Sequence, residues 1–116
     1  MGRFLGIAIA LAGVVAASEA SAHATLERAR PAVGSVTQAP AEIRLWFSER
    51  IEARFSRARL ITRDGAAIAA PSAVVNGNEL VLRVPRLRPG TYRVTWSVLS
   101  VDTHKTEGAF TFEVRP

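Results

Sequence analysis

With 116 residues, no cysteine and one methionine, the chain has room for one small domain and none for a disulfide or a thiolate metal site. Its net charge of +5 comes almost wholly from arginine. The arginines alternate with apolar residues, as in Arg57-Ala58-Arg59-Leu60 and Tyr92-Arg93-Val94. That pattern lines the outer face of strands without forming a dense basic run, so no nucleic-acid partner is expected.

Residues 1–22 read as an export signal. Arg3 and the initial amine form a positive start, residues 4–17 are apolar, and Ala20-Ser21-Ala22 ends a small, polar stretch suited to signal peptidase. The apolar run is shorter than the ~20 residues that a spanning helix needs, so cleavage after Ala22 is expected. Removing the leader takes away Arg3 and Glu19, which leaves the net charge unchanged. It also removes Met1, so residues 23–116 contain no sulfur and lack the soft ligands that favour Cu(I). The predicted organisation is a signal peptide over 1–22 and one domain over 23–116, with no linker, repeat or low-complexity tract.

The domain reads as all-β. In Glu42-Ile43-Arg44-Leu45-Trp46-Phe47, the residues Ile43, Leu45 and Phe47 share one face. Residues 48–55 are the only stretch that could hold a helical turn. A strand is expected over 57–63, ended by the turn signal Asp64-Gly65. Asn76-Gly77-Asn78 marks another turn before a strand over 79–84. Leu87-Arg88-Pro89-Gly90-Thr91-Tyr92 has the make-up of a tyrosine corner, with Pro89 and Gly90 at the centre of a type II turn and the Tyr92 hydroxyl returning to upstream backbone. Residues 91–99 form the clearest strand, with Tyr92, Val94, Trp96 and Val98 on one face. The last strand, 109–114, places Phe110, Phe112 and Val114 together. Trp46 and Trp96 fit best as core or half-buried strand residues. Short strands at this spacing predict a Greek-key β-sandwich.

The candidate chemistry rests on three residues. Cleavage after Ala22 would leave His23 as the first residue, offering both its α-amine and its imidazole Nδ1 to a metal. The chain's other histidine is His104, in Asp102-Thr103-His104. Two residues apart on an extended segment, Asp102 and His104 would point the same way. Two imidazoles, an amine and a carboxylate make an N,N,N,O set suited to tetragonal Cu(II) or Ni(II), with copper favoured by the affinity order. A tetrahedral zinc site uses similar ligands. For Asp102 and His104 taken alone, a local hydrogen-bonding turn is the simpler reading.

The chain resembles the CopC-type copper-resistance domain along essentially all of residues 23–116. The motifs are His23-Ala24, Pro31-Ala32-Val33-Gly34-Ser35, Pro40, Phe47-Ser48-Glu49, Leu87 through Trp96, Ser100-Val101-Asp102-Thr103-His104 and Gly108 through Val114. The resemblance implies an Ig-like or cupredoxin-like sandwich in the periplasm that binds one Cu(II) through His23, Asp102 and His104. It also implies that Glu49 lies beside the site and orients a ligand. Lacking methionine, the domain is similar to the Cu(II)-only members. The family's usual Asp-Gly-His is Asp102-Thr103-His104 here, so a positive φ at that position would strain Thr103.

The expected function is a periplasmic Cu(II) carrier or buffer. It would be monomeric and not an enzyme, and its partner would be a CopD-like inner-membrane protein. Two other readings compete. A histidine-brace oxidative enzyme would share the N-terminal histidine. A metal-free Ig-like interaction module would ignore copper altogether.

Overall fold

The computed structural model describes residues 24–116. The proposed leader and His23 lie outside the described residues. Eight strands follow in chain order: β1 (Leu26–Arg30), β2 (Val36–Thr37), β3 (Glu42–Phe47), β4 (Arg57–Thr62), β5 (Val74–Asn76), β6 (Glu79–Arg83), β7 (Gly90–Leu99) and β8 (Lys105–Val114). They form two four-stranded sheets, ordered β1-β3-β6-β5 and β2-β8-β7-β4. The chain crosses between sheets at β2, β3, β4, β5 and β7. The result is the expected Greek-key sandwich.

The core follows from the period-two pattern. Ile43, Leu45, Phe47, Leu80 and Leu82 meet Leu60, Val94, Val98, Phe110, Phe112 and Val114 between the sheets, all buried. The polar residues that alternate with them face outward. Trp96 also points inward and is partly buried, its ring edge-on to Phe47 at 5.1 Å between centroids. It sits over Gly108, its cross-strand partner, where an added Cβ would lie 2.3 Å from the indole. Trp46 faces outward beneath the Arg28 guanidinium, 4.7 Å from the ring centroid. This contact joins β1 to β3.

The tyrosine corner forms as expected. The Tyr92 hydroxyl donates to the Arg88 carbonyl at 2.7 Å. Gly90 has φ +148°, positive but further round than the ~+80° of a type II turn, so the corner departs from that turn type. Residues 48–55 hold only a single 3-10 turn, Ala53–Phe55.

The β7–β8 ladder is the longest in the fold, pairing from Gly90↔Val114 to Leu99↔Lys105. Its far end carries the loop that contains Asp102 and His104.

Candidate metal centre

The β7–β8 loop is built by local rules. An isolated bridge pairs Ser100 with Ile51, and the Ser100 and His104 backbones face each other, the Ser100 N–H donating to the His104 carbonyl at 2.9 Å. Thr103 N–H donates back to the Ser100 carbonyl at 2.8 Å, which closes a tight turn over Val101 and Asp102. Thr103 then takes φ +71°, the left-handed position that follows the turn in three-residue hairpins. Among the described residues it is the only non-glycine with positive φ. Glycine suits that position, and a β-branched residue is strained in it.

Asp102 and His104 therefore stand on a turn, which corrects the extended segment expected from the sequence. The turn still brings them together, because the left-handed residue between them folds the chain back. His104 Nδ1 lies 3.4 Å from Asp102 Oδ1. Both side chains are nearly half exposed, at 47% and 45%. Two donors each ~2 Å from one ion and at right angles to it stand roughly 3 Å apart, so the pair has the spacing of adjacent ligands.

Ser100 organises the pair, a role the sequence reading did not assign. It is fully buried. Its hydroxyl donates to Asp102 Oδ1, and its Oγ accepts from the His104 backbone N–H at 3.2 Å. The Ser100 hydrogen bond is the main cause holding the Asp102 carboxyl below the usual carboxylate range. The hydrogen bond and opposite charge of His104 add to this, while desolvation opposes it. The sequence signal was present in Ser100-Val101-Asp102. It shows as a positioning device only once the turn is known.

The start of the described chain packs against the same end of the sandwich. Ala24 is fully buried, and its carbonyl accepts from the Thr106 hydroxyl at 2.7 Å. Thr106 lies two residues beyond His104. Thr25 exchanges hydrogen bonds with Ser48, its N–H donating to Ser48 Oγ at 2.9 Å and its carbonyl accepting from the Ser48 N–H at 2.8 Å. Ser48 immediately precedes Glu49.

Glu49 is half-buried and makes no hydrogen bond or ion pair with another described residue. Its segment runs beside the loop, for the Val101 N–H donates to the Arg50 carbonyl at 3.0 Å and the Glu52 N–H to the Leu99 carbonyl at 2.8 Å. Thus Ala24-Thr25, Ser48-Glu49 and Ser100–His104, far apart in sequence, adjoin one another at one end of the fold. Among the described residues no three metal-binding side chains form a cluster. The expected third ligand, His23, lies outside them.

Comparison with known proteins points the same way. The family model of the CopC domain matches residues 26–115. "Copper resistance protein C" of Pseudomonas syringae pv. tomato is 35% identical, over 90% of each chain. The crystal structure of CopC from Methylosinus trichosporium OB3b superposes with a TM-score of 0.77 at 30% identity, covering 81% of this chain and 95% of that one. PcoC, described as a methionine-rich copper resistance protein from Escherichia coli, gives a TM-score of 0.72 at 33% identity, covering 80% and 99%.

Proposed function

Since this chain belongs to the CopC family, we propose that it is an exported copper-resistance protein that carries or buffers Cu(II) in the periplasm. Residues 1–22 act as the signal peptide, and cleavage after Ala22 frees the amine of His23. The ion is held by that amine, the His23 and His104 imidazoles and the Asp102 carboxylate. Glu49 orients the terminal histidine by hydrogen bonding. The protein works as a monomer without catalysis and exchanges copper with a CopD-like inner-membrane protein.

One observation carries this reading. The buried Ala24 carbonyl is tied to Thr106, two residues beyond His104, so the start of the described chain packs against the strand that leaves the Asp102–His104 turn. The donor chemistry agrees. Nitrogen and oxygen ligands with no sulfur suit Cu(II) and disfavour Cu(I). In this respect the chain differs from its methionine-rich relative in Escherichia coli.

The oxidative-enzyme reading gains no support. The chain's one tyrosine, Tyr92, is buried at the other end of β7, with its hydroxyl committed to Arg88. The interaction-module reading has no account of the charged turn held by a buried serine.

The test begins with the intact mass of the exported protein, which should correspond to a chain starting at His23. That protein should take up one Cu(II) and little Cu(I). A version with one methionine added before His23 should bind Cu(II) orders of magnitude more weakly and give a changed EPR spectrum, while circular dichroism stays the same. Equal affinity and spectrum in the two proteins would sink the N-terminal site.

A further inference from the structure

The outer face of the β2-β8-β7-β4 sheet gathers arginines that are scattered in the sequence. Arg57 and Arg59 point outward from edge strand β4, alternating with buried Ala58 and Leu60. Arg93 points outward from β7. It pairs with Ile61 and sits diagonally from Arg59, whose own partner is Thr95. Lys105 begins β8. These side chains and the small residues Thr95, Ser97 and Ala109 line a shallow trough of about 410 Å³. Glu107 is the one carboxylate in its wall, 3.7 Å from Lys105.

Among the described residues, the side chains of Arg57, Arg59 and Arg93 make no ion pair and no hydrogen bond. Arg44, on the other sheet, shows the alternative, for it is held by both Glu42 and Glu79. Three uncompensated guanidinium groups on adjoining strands repel one another. An anion seated among them would relieve that repulsion.

We propose that this trough docks an extended acidic segment of a partner protein. Same-face residues on a strand recur at roughly 7 Å, so Arg57 and Arg59 match carboxylates two residues apart on an extended chain. Guanidinium groups hold carboxylates with paired, charge-assisted hydrogen bonds. The small floor lets a backbone approach the sheet. Trp96 also borders the trough, but its ring packs inward on Phe47, and none of the large exposed apolar residues (Val33, Val36, Phe55, Val74, Val101) lines it, so it presents no protruding apolar anchor of the kind that seats a protein in a lipid interface. Lys105 directly follows His104, so a docked partner would lie alongside the Asp102–His104 turn. On the copper-carrier reading, this face presents the cargo to the protein that exchanges it, and the charge speeds encounter.

The probe is a labelled peptide of alternating Glu and Ser, with a Gln/Ser peptide as blank. The purified protein should bind the acidic peptide, more weakly as salt rises. The triple change Arg57→Gln, Arg59→Gln, Arg93→Gln should weaken binding by about tenfold or more, the scale of losing charge-assisted contacts. Removing the same charge elsewhere, with Arg30→Gln, Arg83→Gln, Arg86→Gln, should change it by less than about twofold if the trough is specific. NMR shifts in the unaltered protein should fall on β4, β7 and β8, which keeps the test independent of how the variants fold. Equal losses in both triple variants, shifts elsewhere, or binding to phosphatidylglycerol vesicles that the peptide cannot displace would overturn the proposal. Cu(II) uptake by the unaltered protein, followed by EPR and set beside its peptide binding, separates the two readings. Copper uptake without peptide binding sinks the docking face alone, and peptide binding without copper uptake sinks the carrier alone.

Discussion

The β7–β8 hairpin ends in two different ways. At one end Gly90 supplies the positive φ that the chain needs, and Tyr92 packs against Phe112 while its hydroxyl closes the corner on Arg88. At the other end the positive φ falls on Thr103, and the charged Asp102 and His104 stand half exposed. Local preference and fold agree at the first end. They conflict at the second, where a strained residue holds the two proposed ligands 3.4 Å apart. Consistency between levels marks the structural end, and its failure marks the end where function is expected.

Acid should separate the ends most strongly. Copper competes with protons for the proposed amine and two imidazoles, because each nitrogen must shed its proton to bind the ion. Asp102 is already held below the usual carboxylate range by Ser100. A depressed carboxyl contributes stability that is present above its unfolded value of ~3.9 and lost only as pH falls through its folded value, so Asp102 stays ionised in mild acid. Cu(II) affinity should therefore fall by several orders of magnitude between about pH 7 and 5, while the copper-free sandwich keeps its structure. Titration at stepped pH, with circular dichroism alongside, measures both. A flat affinity would point to a site built on carboxylates.

Next in size is Ser100→Ala. It deletes the donor to Asp102 and a partner of the His104 N–H, with little change in volume at a buried position. Cu(II) affinity should drop by roughly 10–100-fold, the usual cost of removing a group that orients a ligand. The Asp102 carboxyl should titrate at higher pH than in the unaltered protein, which NMR can follow. Unchanged copper affinity would mean that the turn holds Asp102 without Ser100.

The alternating strands were legible from sequence because their apolar residues carry the pattern. β3 runs over the predicted residues, and β4, β6 and β7 lie within one residue of theirs. β1 was missed because a bulge between Leu26 and Arg28 breaks its alternation and its residues are half-buried or exposed. β5 is a three-residue edge strand, and β2 has only two residues. The first half of β8 was hidden for another reason. Residues 105–108 are mostly polar, and the inward position opposite Trp96 is Gly108, kept empty for the indole. In the candidate site, the closeness of Asp102 and His104 was legible and its backbone cause was not. The spacing of two suggested an extended strand, whereas a turn with a left-handed Thr103 brings them together. Likewise the alternating arginines were rightly read as outward. Their gathering on one face depends on the β4–β7 register, which no local pattern reveals.

At the structural end, Tyr92→Phe leaves the Arg88 carbonyl without its 2.7 Å partner. Stability should fall by about 1 kcal/mol or somewhat more, the usual net value of such a bond, with Cu(II) affinity unchanged. Denaturant melts of the copper-free protein and a copper titration check the two halves. A loss of copper affinity would show that the corner and the turn are coupled along the hairpin.

The smallest effect, and the sharpest test of the comparison, is Thr103→Gly. A residue with a Cβ in the left-handed region costs roughly 1–2 kcal/mol, which glycine escapes. Two losses offset that gain. Glycine makes the unfolded chain freer by about 0.4–1 kcal/mol, and the Thr103 hydroxyl no longer donates to the Asp102 carbonyl. That hydroxyl is exposed, so water replaces much of the bond. The variant should end up more stable by about 0.5 kcal/mol, read as a higher denaturant midpoint at unchanged slope. The mirror change at the other end, Gly90→Thr, meets no neighbour within 4 Å yet must adopt φ +148°, so it should destabilise for backbone reasons alone. If Thr103→Gly instead lowers stability, Thr103 is held by its contacts rather than strained, and the two ends of the hairpin obey the same rule after all.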